Sequence, residues 1–248
     1  MDLVVKDRGK KMAIPKILHY CWFGNGEMRK VEKKCIKTWE KHLSDFEWKR
    51  WDETNFDVRC NPYVSEAYDA KRYMYVSDYA RLLALYQEGG LYLDTDCRIK
   101  KPFAPLLEQE AFTGIGCDNK ELAAHLLAFE PSHPFIKECL DSYEGCHFMK
   151  EDGQPDTCSI NIRMTKLLEK YGYIPNGEEQ TVAGIHIYPM TYFCPWSLNL
   201  AEVKDCESKK TYCIHVWKSK EFKRERRWYI KWGRKIGLDK LKRKLLKK

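Results

Sequence analysis

Residues 76–96 read Val76-Ser77-Asp78-Tyr79-Ala80-Arg81-Leu82-Leu83-Ala84-Leu85-Tyr86-Gln87-Glu88-Gly89-Gly90-Leu91-Tyr92-Leu93-Asp94-Thr95-Asp96. Val76, Tyr79, Ala80, Leu83 and Tyr86 recur at spacings of three and four, which predicts a helix with these side chains on one face. Ser77, Asp78 and Arg81 fall off that face. Asp78 and Arg81 are three apart and therefore neighbours on the helix surface. Gly89-Gly90 ends the helix, since glycine adopts the left-handed backbone that closes a helix C-terminus. Leu91-Tyr92-Leu93 is then a short buried strand. It delivers Asp94-Thr95-Asp96 at its carboxyl end, where open α/β sheets bind their ligands.

Strand alternation puts residues two apart on one side, so Asp94 and Asp96 are expected to face each other's field. Two such carboxylates repel unless a cation or a ligand hydroxyl lies between them. A hard divalent ion takes oxygen ligands, a few from protein and the rest from water and phosphate. Such an ion bridges to a diphosphate and neutralises the charge that develops on a leaving group. The competing reading is a solvated pair of aspartates in a turn.

Working outward, Ile14 to Phe23 reads as a strand ended by Gly24-Asn25-Gly26. Met28, Val31, Cys35 and Trp39 form the stripe of an amphipathic helix. Phe46 to Trp51 alternates and reads as a second strand. Strand, helix, strand at this spacing predicts a nucleotide-binding α/β layer. From Ala111 to Lys170 apolar strands alternate with helices such as Phe135 to Tyr143 and Ile160 to Tyr171. Tyr188-Pro189 and Cys194-Pro195-Trp196 read as loop and edge-strand material, and Tyr212 to Trp217 as a last strand.

The chain has 248 residues, 44% of them apolar and 32% charged. That composition is globular, and no apolar run reaches the roughly 18 residues of a membrane-spanning helix. The segment Met1 to Lys11 is charged and lacks the apolar core of a secretory signal, so a cytoplasmic location is expected. Eleven cysteines without a C-x-x-C pair argue against a zinc cage and for reduced thiols. The net charge of +8 is uneven. Lys218 to Lys248 carries 15 Lys/Arg against 3 Asp/Glu, a net of +12, which leaves −4 for the rest of the chain. The expected organisation is a domain over residues 1–217 and a basic amphipathic helical tail over 218–248.

The block Val76 to Arg81 with Leu85 to Asp96 resembles the DXD-containing sugar-binding glycosyltransferases of family 32. That family includes yeast initiating mannosyltransferases, bacterial capsular and surface polysaccharide transferases, and distantly the clostridial glucosylating toxins. Ile14-Pro15-Lys16-Ile17-Leu18-His19-Tyr20-Cys21-Trp22-Phe23-Gly24, Tyr192-Phe193-Cys194-Pro195 and Tyr212-Cys213-Ile214-His215 are similar to the bacterial members. The resemblance implies a glycosyltransferase A-type (GT-A), Rossmann-like α/β fold with a mixed central sheet. It also implies a Mn²⁺ or Mg²⁺ cofactor, a nucleotide-sugar donor (a UDP-sugar favoured) and retention of anomeric configuration.

Residue by residue, it implies Asp96 as the principal metal ligand, and Asp94 on the ribose or donor sugar with a share in the metal. Asp78 and Arg81 would contact donor-sugar hydroxyls and phosphate, unless they form only a surface ion pair. Trp22 would stack on the nucleobase, its alternative being an ordinary buried tryptophan. His215 would be a further metal ligand, its alternative being a strand histidine packed beside Trp217. His19 reads as structural. The chain departs from the family at Val216, where a second histidine is usual, and at Lys220 after Ser219. Around Glu121 to His125 and Ser132-His133-Pro134 the acceptor-side asparagine of many relatives is missing, so acceptor contacts do not transfer. No residue presents itself as a catalytic base, which fits a same-face displacement.

The tail interleaves Trp228, Trp232, Ile236, Leu241 and Leu245 with Lys and Arg, a pattern suited to an anionic membrane surface. The expectation is therefore a cytoplasmic enzyme, peripheral on the inner membrane face. It would transfer a hexose or N-acetylhexosamine to a glycan or lipid-linked acceptor in surface polysaccharide biosynthesis. A toxin-like transferase acting on a protein and a tail-driven nucleic-acid-binding protein are the alternatives.

Overall fold

The computed structural model describes residues 14–195 and 207–216. In chain order the elements are β1 (Ile17–Cys21), α1 (Lys30–His42), β2 (Glu47–Trp51), α2 (Pro62–Asp69), α3 (Tyr73–Glu88), β3 (Gly90–Leu93) and β4 (Cys97–Ile99). A 3-10 turn (Ala104–Leu106) leads to β5 (Ala111–Ile115), β6 (Leu122–Phe129), α4 (Pro134–Asp141), α5 (Ile160–Glu169), β7 (Gln180–Val182), β8 (Ile185–Tyr188), α6 (Met190–Phe193) and β9 (Cys213–His215).

The central sheet has seven strands in the order β2-β1-β3-β6-β5-β8-β7. β1 runs parallel to both β2 and β3, and β5 runs parallel to β8. β6 is antiparallel to β3 and β5, which makes the sheet mixed. The α/β expectation with a mixed central sheet is met. A separate two-stranded ribbon pairs β4 with β9, Cys97 facing His215. The predicted tail, residues 218–248, lies outside the described residues, as do Trp196 and Trp217.

The central strands are covered on both faces, so their sequence is continuously apolar rather than alternating. β6 is buried at every position. Tyr92 and Leu127 enter the core beneath α2, α3, α4 and α5. Leu91, Leu93, Leu126 and Ala128 enter the opposite core, which α1, α6 and the β4–β9 ribbon close with Trp39, Phe193 and Cys213. Each cysteine among the described residues is a free thiol.

Two expectations are corrected here. The buried stripe of α1 runs through Glu32, Cys35 and Trp39, with Val31 only half-buried and Met28 outside the helix. α3 is buried on more than its apolar stripe: Asp78 and Arg81 are 3% and 4% exposed, which excludes the alternative of a surface ion pair. α3 packs on the sheet and against α2 and α4, and its Asp78–Arg81 side is buried while Tyr79, Leu83 and Tyr86 are only half-buried.

Candidate active site

The site is built where α3 hands over to β3. Gly89 and Gly90 take φ of +64° and +103°. A Cβ on Gly90 would stand 2.5 Å from the carbonyl oxygen of Ile17, so the close pairing of β3 with β1 needs glycine there. His19 secures the same corner. Its Nε2 donates to the Gly89 carbonyl at 2.8 Å, and its Nδ1 accepts from Trp51 Nε1 at 3.1 Å. Burial lowers its pKa, so it stays a neutral structural residue, as read from sequence.

Asp94, Thr95 and Asp96 follow β3 but are not strand residues. They form a tight turn closed by a hydrogen bond from the Cys97 amide to the Asp94 carbonyl, 3.0 Å. The carboxylates therefore converge through the turn and not through strand alternation, which corrects the sequence argument while keeping its outcome. Further backbone hydrogen bonds fix the turn. The Asp94 amide donates to His125 O and the Val216 amide donates to Asp96 O, both 2.9 Å. The second bond ties the turn to the end of β9, and β9 carries His215 into the site. One oxygen or nitrogen from each of Asp94, Asp96 and His215 lies within 4.8 Å of the others. His215 Nε2 is 2.9 Å from Asp96 Oδ1 and 3.9 Å from Asp94 Oδ2.

This donor set fits a divalent cation. Two carboxylates and one imidazole offer hard and borderline ligands, and both aspartates remain partly open to solvent, leaving room for water or phosphate oxygens. Burial lowers the His215 pKa, but Asp96 and then Asp94 outweigh it and raise it above its ordinary value. The two aspartates therefore favour the protonated form of the ring. His125 stacks on it, with centroids 4.2 Å apart, and donates from Nε2 to Phe193 O at 3.2 Å. Burial, and next the charge of His215, hold His125 well below its usual pKa, so it is a neutral support.

Behind Asp94 stands a buried charge relay. Arg81 Nη1 is 3.3 Å from Asp94 Oδ1, and Arg81 Nη2 is 3.0 Å from Asp78 Oδ1. The guanidinium is further fixed by Ala124 O at 2.8 Å and by the face of Tyr92, 4.5 Å from its centroid. Burial works against its charge, yet Asp94, Tyr92 and Asp78 raise its pKa above the ordinary value. Tyr92 Oη donates to Asp94 Oδ1 at 2.9 Å. Burial pushes the Asp78 carboxyl up to about 6, Arg81 pulling it down and Asp94 adding to the rise. The amide of Ile160, at the first turn of α5, points at Asp78 Oδ2 from 3.4 Å and adds the favourable end of a helix dipole.

An open cleft of about 370 Å³ lies over these groups, walled by Trp22, Arg29, Glu32, Arg81, Asp94 and Asp96. Trp22 is partly exposed, and its Nε1 donates to Gly26 O at 2.6 Å, which holds the ring at the cleft edge. Every residue proposed from sequence (Trp22, Asp78, Arg81, Asp94, Asp96 and His215) is thus in this one neighbourhood. Asp78 lies beneath the cleft rather than in its wall and touches Arg81. Sequence reasoning missed His125, Arg29 and Glu32. A histidine inside the apolar run Leu122–Phe129 was a visible signal. The burial of Glu32 carried no signal, because a glutamate in a first helical turn is ordinarily solvated.

Comparison with known proteins adds a regional similarity. Residues 29–113 match the description "Glycosyltransferase sugar-binding region containing DXD motif". Inositol phosphoceramide mannosyltransferase 3 of Schizosaccharomyces pombe is 30% identical over 131 residues, 50% of this chain and 35% of that protein. Human lactosylceramide 4-alpha-galactosyltransferase is 26% identical over 160 residues, 58% and 42% respectively. The chain spans less than half the length of these curated relatives. Among solved structures, PaToxG glycosyltransferase aligns with a TM-score of 0.47 at 19% identity, covering 64% of this chain and 70% of that one. The galactosyltransferase LgtC with donor and acceptor sugar analogs aligns with a TM-score of 0.45 at 14% identity, covering 81% and 87%. The block from Val76 to Asp96, the matched region around it and these relatives agree: over residues 29–113 the chain is similar to the glycosyltransferase sugar-binding region that contains a DXD motif.

Proposed function

We propose that this protein is a retaining, metal-dependent transferase that moves a hexose or N-acetylhexosamine from a nucleotide-sugar to a glycan or lipid-linked acceptor. The observation that carries this is the convergence of Asp94, Asp96 and His215 beneath the cleft edged by Trp22. Mn²⁺ or Mg²⁺ held by these three would supply positive charge to the departing diphosphate. Trp22 offers a flat apolar face for a nucleobase. Arg81 stands in the cleft wall with its guanidinium pre-positioned by Ala124 O, Asp78 and Tyr92. It therefore adds fixed positive charge near the phosphates without reorganising during the reaction. Tyr92 and Arg81 hold one Asp94 oxygen and leave the other for ligands.

In the reaction the anomeric carbon's bond to the phosphate oxygen breaks. A bond to the acceptor oxygen forms on the same face, and the acceptor proton passes to the leaving phosphate. A lipid-linked acceptor is supported by the relatives named for ceramide acceptors. It would give the basic residues 218–248 a role at an anionic inner membrane surface, with a UDP-sugar as the favoured donor and the cytoplasm as the location.

The test is thermal stabilisation by a panel of nucleotide-sugars with and without Mn²⁺. A ligand that binds only the folded state raises stability by about 2.7 kcal/mol at 100 times its Kd. One donor is expected to raise the Tm only with metal. Asp96→Ala is expected to lose that shift, to keep its unliganded Tm within a few degrees, and to lose turnover by about 100-fold or more. Full turnover in Asp96→Ala would remove the central claim.

A further inference from the structure

Glu32 stands where an ordinary surface glutamate does not. It lies in the first turn of α1 yet is 1% exposed. Its Oε1 accepts from Arg29 Nε at 2.8 Å and from Arg29 Nη2. Its Oε2 is buried and has no hydrogen-bond partner among the described residues. An unpaired carboxylate oxygen out of water is unfavourable, and Glu32, which lines this cleft, holds one. Arg29 grips the other oxygen from a side chain that is 57% exposed, so the carboxylate plane is set from the cleft rim. Glu32 lines the cleft, and a turn of its side chain out of the wall would let a cleft occupant supply the partner that Oε2 lacks.

The chemistry of that partner follows. An ionised carboxylate only accepts hydrogen bonds, so the ligand group must be a hydroxyl or an N–H. A phosphate is excluded, because two anions there would repel. On the nucleotide-sugar reading of the cleft, Asp94, Asp96 and His215 would hold the phosphates through a divalent ion, and Trp22, which lines the same cleft as Glu32, would face the base. We propose that Glu32, oriented by Arg29, determines donor specificity: its Oε2 accepts a hydrogen bond from a hydroxyl or N–H of the nucleoside half. This rests on reading the cleft as a nucleotide-sugar site.

Calorimetric titration of the full chain with Mn²⁺ and UDP, GDP or CDP tests it. The tightest of these is then compared with its 2′-deoxy, 3′-deoxy and base-N-methylated forms. One of the three changes is expected to weaken binding to the wild type about 10-fold, and less than about 2-fold in Glu32→Ala, a coupling that also says whether ribose or base is read. Equal responses of wild type and Glu32→Ala to all three changes, with the parent nucleotide still bound, overturn the proposal and leave the nucleotide site intact. Wild type binding none of the three nucleotides removes the site reading and this proposal together, and needs no variant to be seen. Should Glu32→Ala fail to fold, Glu32→Leu removes the acceptor while filling the space. Arg29→Ala, at an exposed position, is expected to reduce the same discrimination. Unchanged discrimination there overturns the orienting role.

Discussion

At the residue scale, His215 and Asp78 titrate in ways that can be measured. His215 has a raised pKa because Asp96 and Asp94 face it, and it must lose its Nε2 proton to ligate a cation. Mn²⁺ affinity is therefore expected to climb as pH rises through the shifted imidazole pKa, above its usual 6.5, and then to flatten. Calorimetry across pH checks this, and His215→Gln should bind about 10-fold more weakly or worse, without that pH dependence. Asp78 has its folded pKa raised from 3.8 to about 6 by burial. A carboxyl raised on folding stabilises fully below its unfolded pKa and loses that contribution as pH rises through the folded value. The loss is about 3 kcal/mol between pH 4 and pH 7. Asp78→Asn lacks this titration. Its stability relative to wild type in EDTA should therefore improve as pH rises over that window, as urea melts at each pH would record. The presence of Asp78, Arg81, Asp94, Asp96 and His215 at one site was legible from their motif. Their burial was not, since charged residues ordinarily read as surface.

At the scale of elements, the helix-to-strand handover is the most locally specified part of the chain. The periodicity of α3, the paired glycines and the apolar Leu91-Tyr92-Leu93 each point to the same structure, and that agreement makes the segment readable. Gly90→Ala tests it directly. The added Cβ would meet Ile17 O at 2.5 Å with φ at +103°, so strain and overpacking combine. A loss of about 3 kcal/mol is expected, seen as a Tm drop of about 6–12 °C by calorimetry. Other elements were not legible. β4 is three residues long, too short for any periodicity, and exists because it pairs with β9, which the sequence placed within a last strand from Tyr212 to Trp217. α1 was found but turned by one position, since Glu32 rather than Val31 heads its buried stripe. An apolar pattern cannot foresee a glutamate held in a cleft wall.

At the scale of the whole molecule, the sheet order places the carboxyl end of β3 beneath the cleft, and the β4–β9 ribbon brings His215 to the two aspartates from the far end of the described chain. Among the described residues no helix is long and apolar enough to cross a membrane. Membrane attachment through residues 218–248 is a separable proposal. Deleting residues 219–248 should weaken cosedimentation with anionic vesicles by about 10-fold or more, an effect that salt diminishes, and leave Mn²⁺-dependent nucleotide binding unchanged. Loss of both together would make the tail part of the catalytic fold.

The sequence by itself determined the α/β class, the helix–Gly-Gly–strand handover and the Asp94–Asp96 pair, because each rests on local periodicity or on glycine's freedom at positive φ. Tertiary structure alone decided the rest. Insertion of β6 between β3 and β5 made the sheet mixed, and β9 docking on β4 brought His215 to Asp96. Burial of α3 on several sides turned a nominal surface pair, Asp78 and Arg81, into a relay under Asp94. These outcomes depend on contacts between residues distant in the chain, and no spacing along the sequence records which strand edges and helix faces meet.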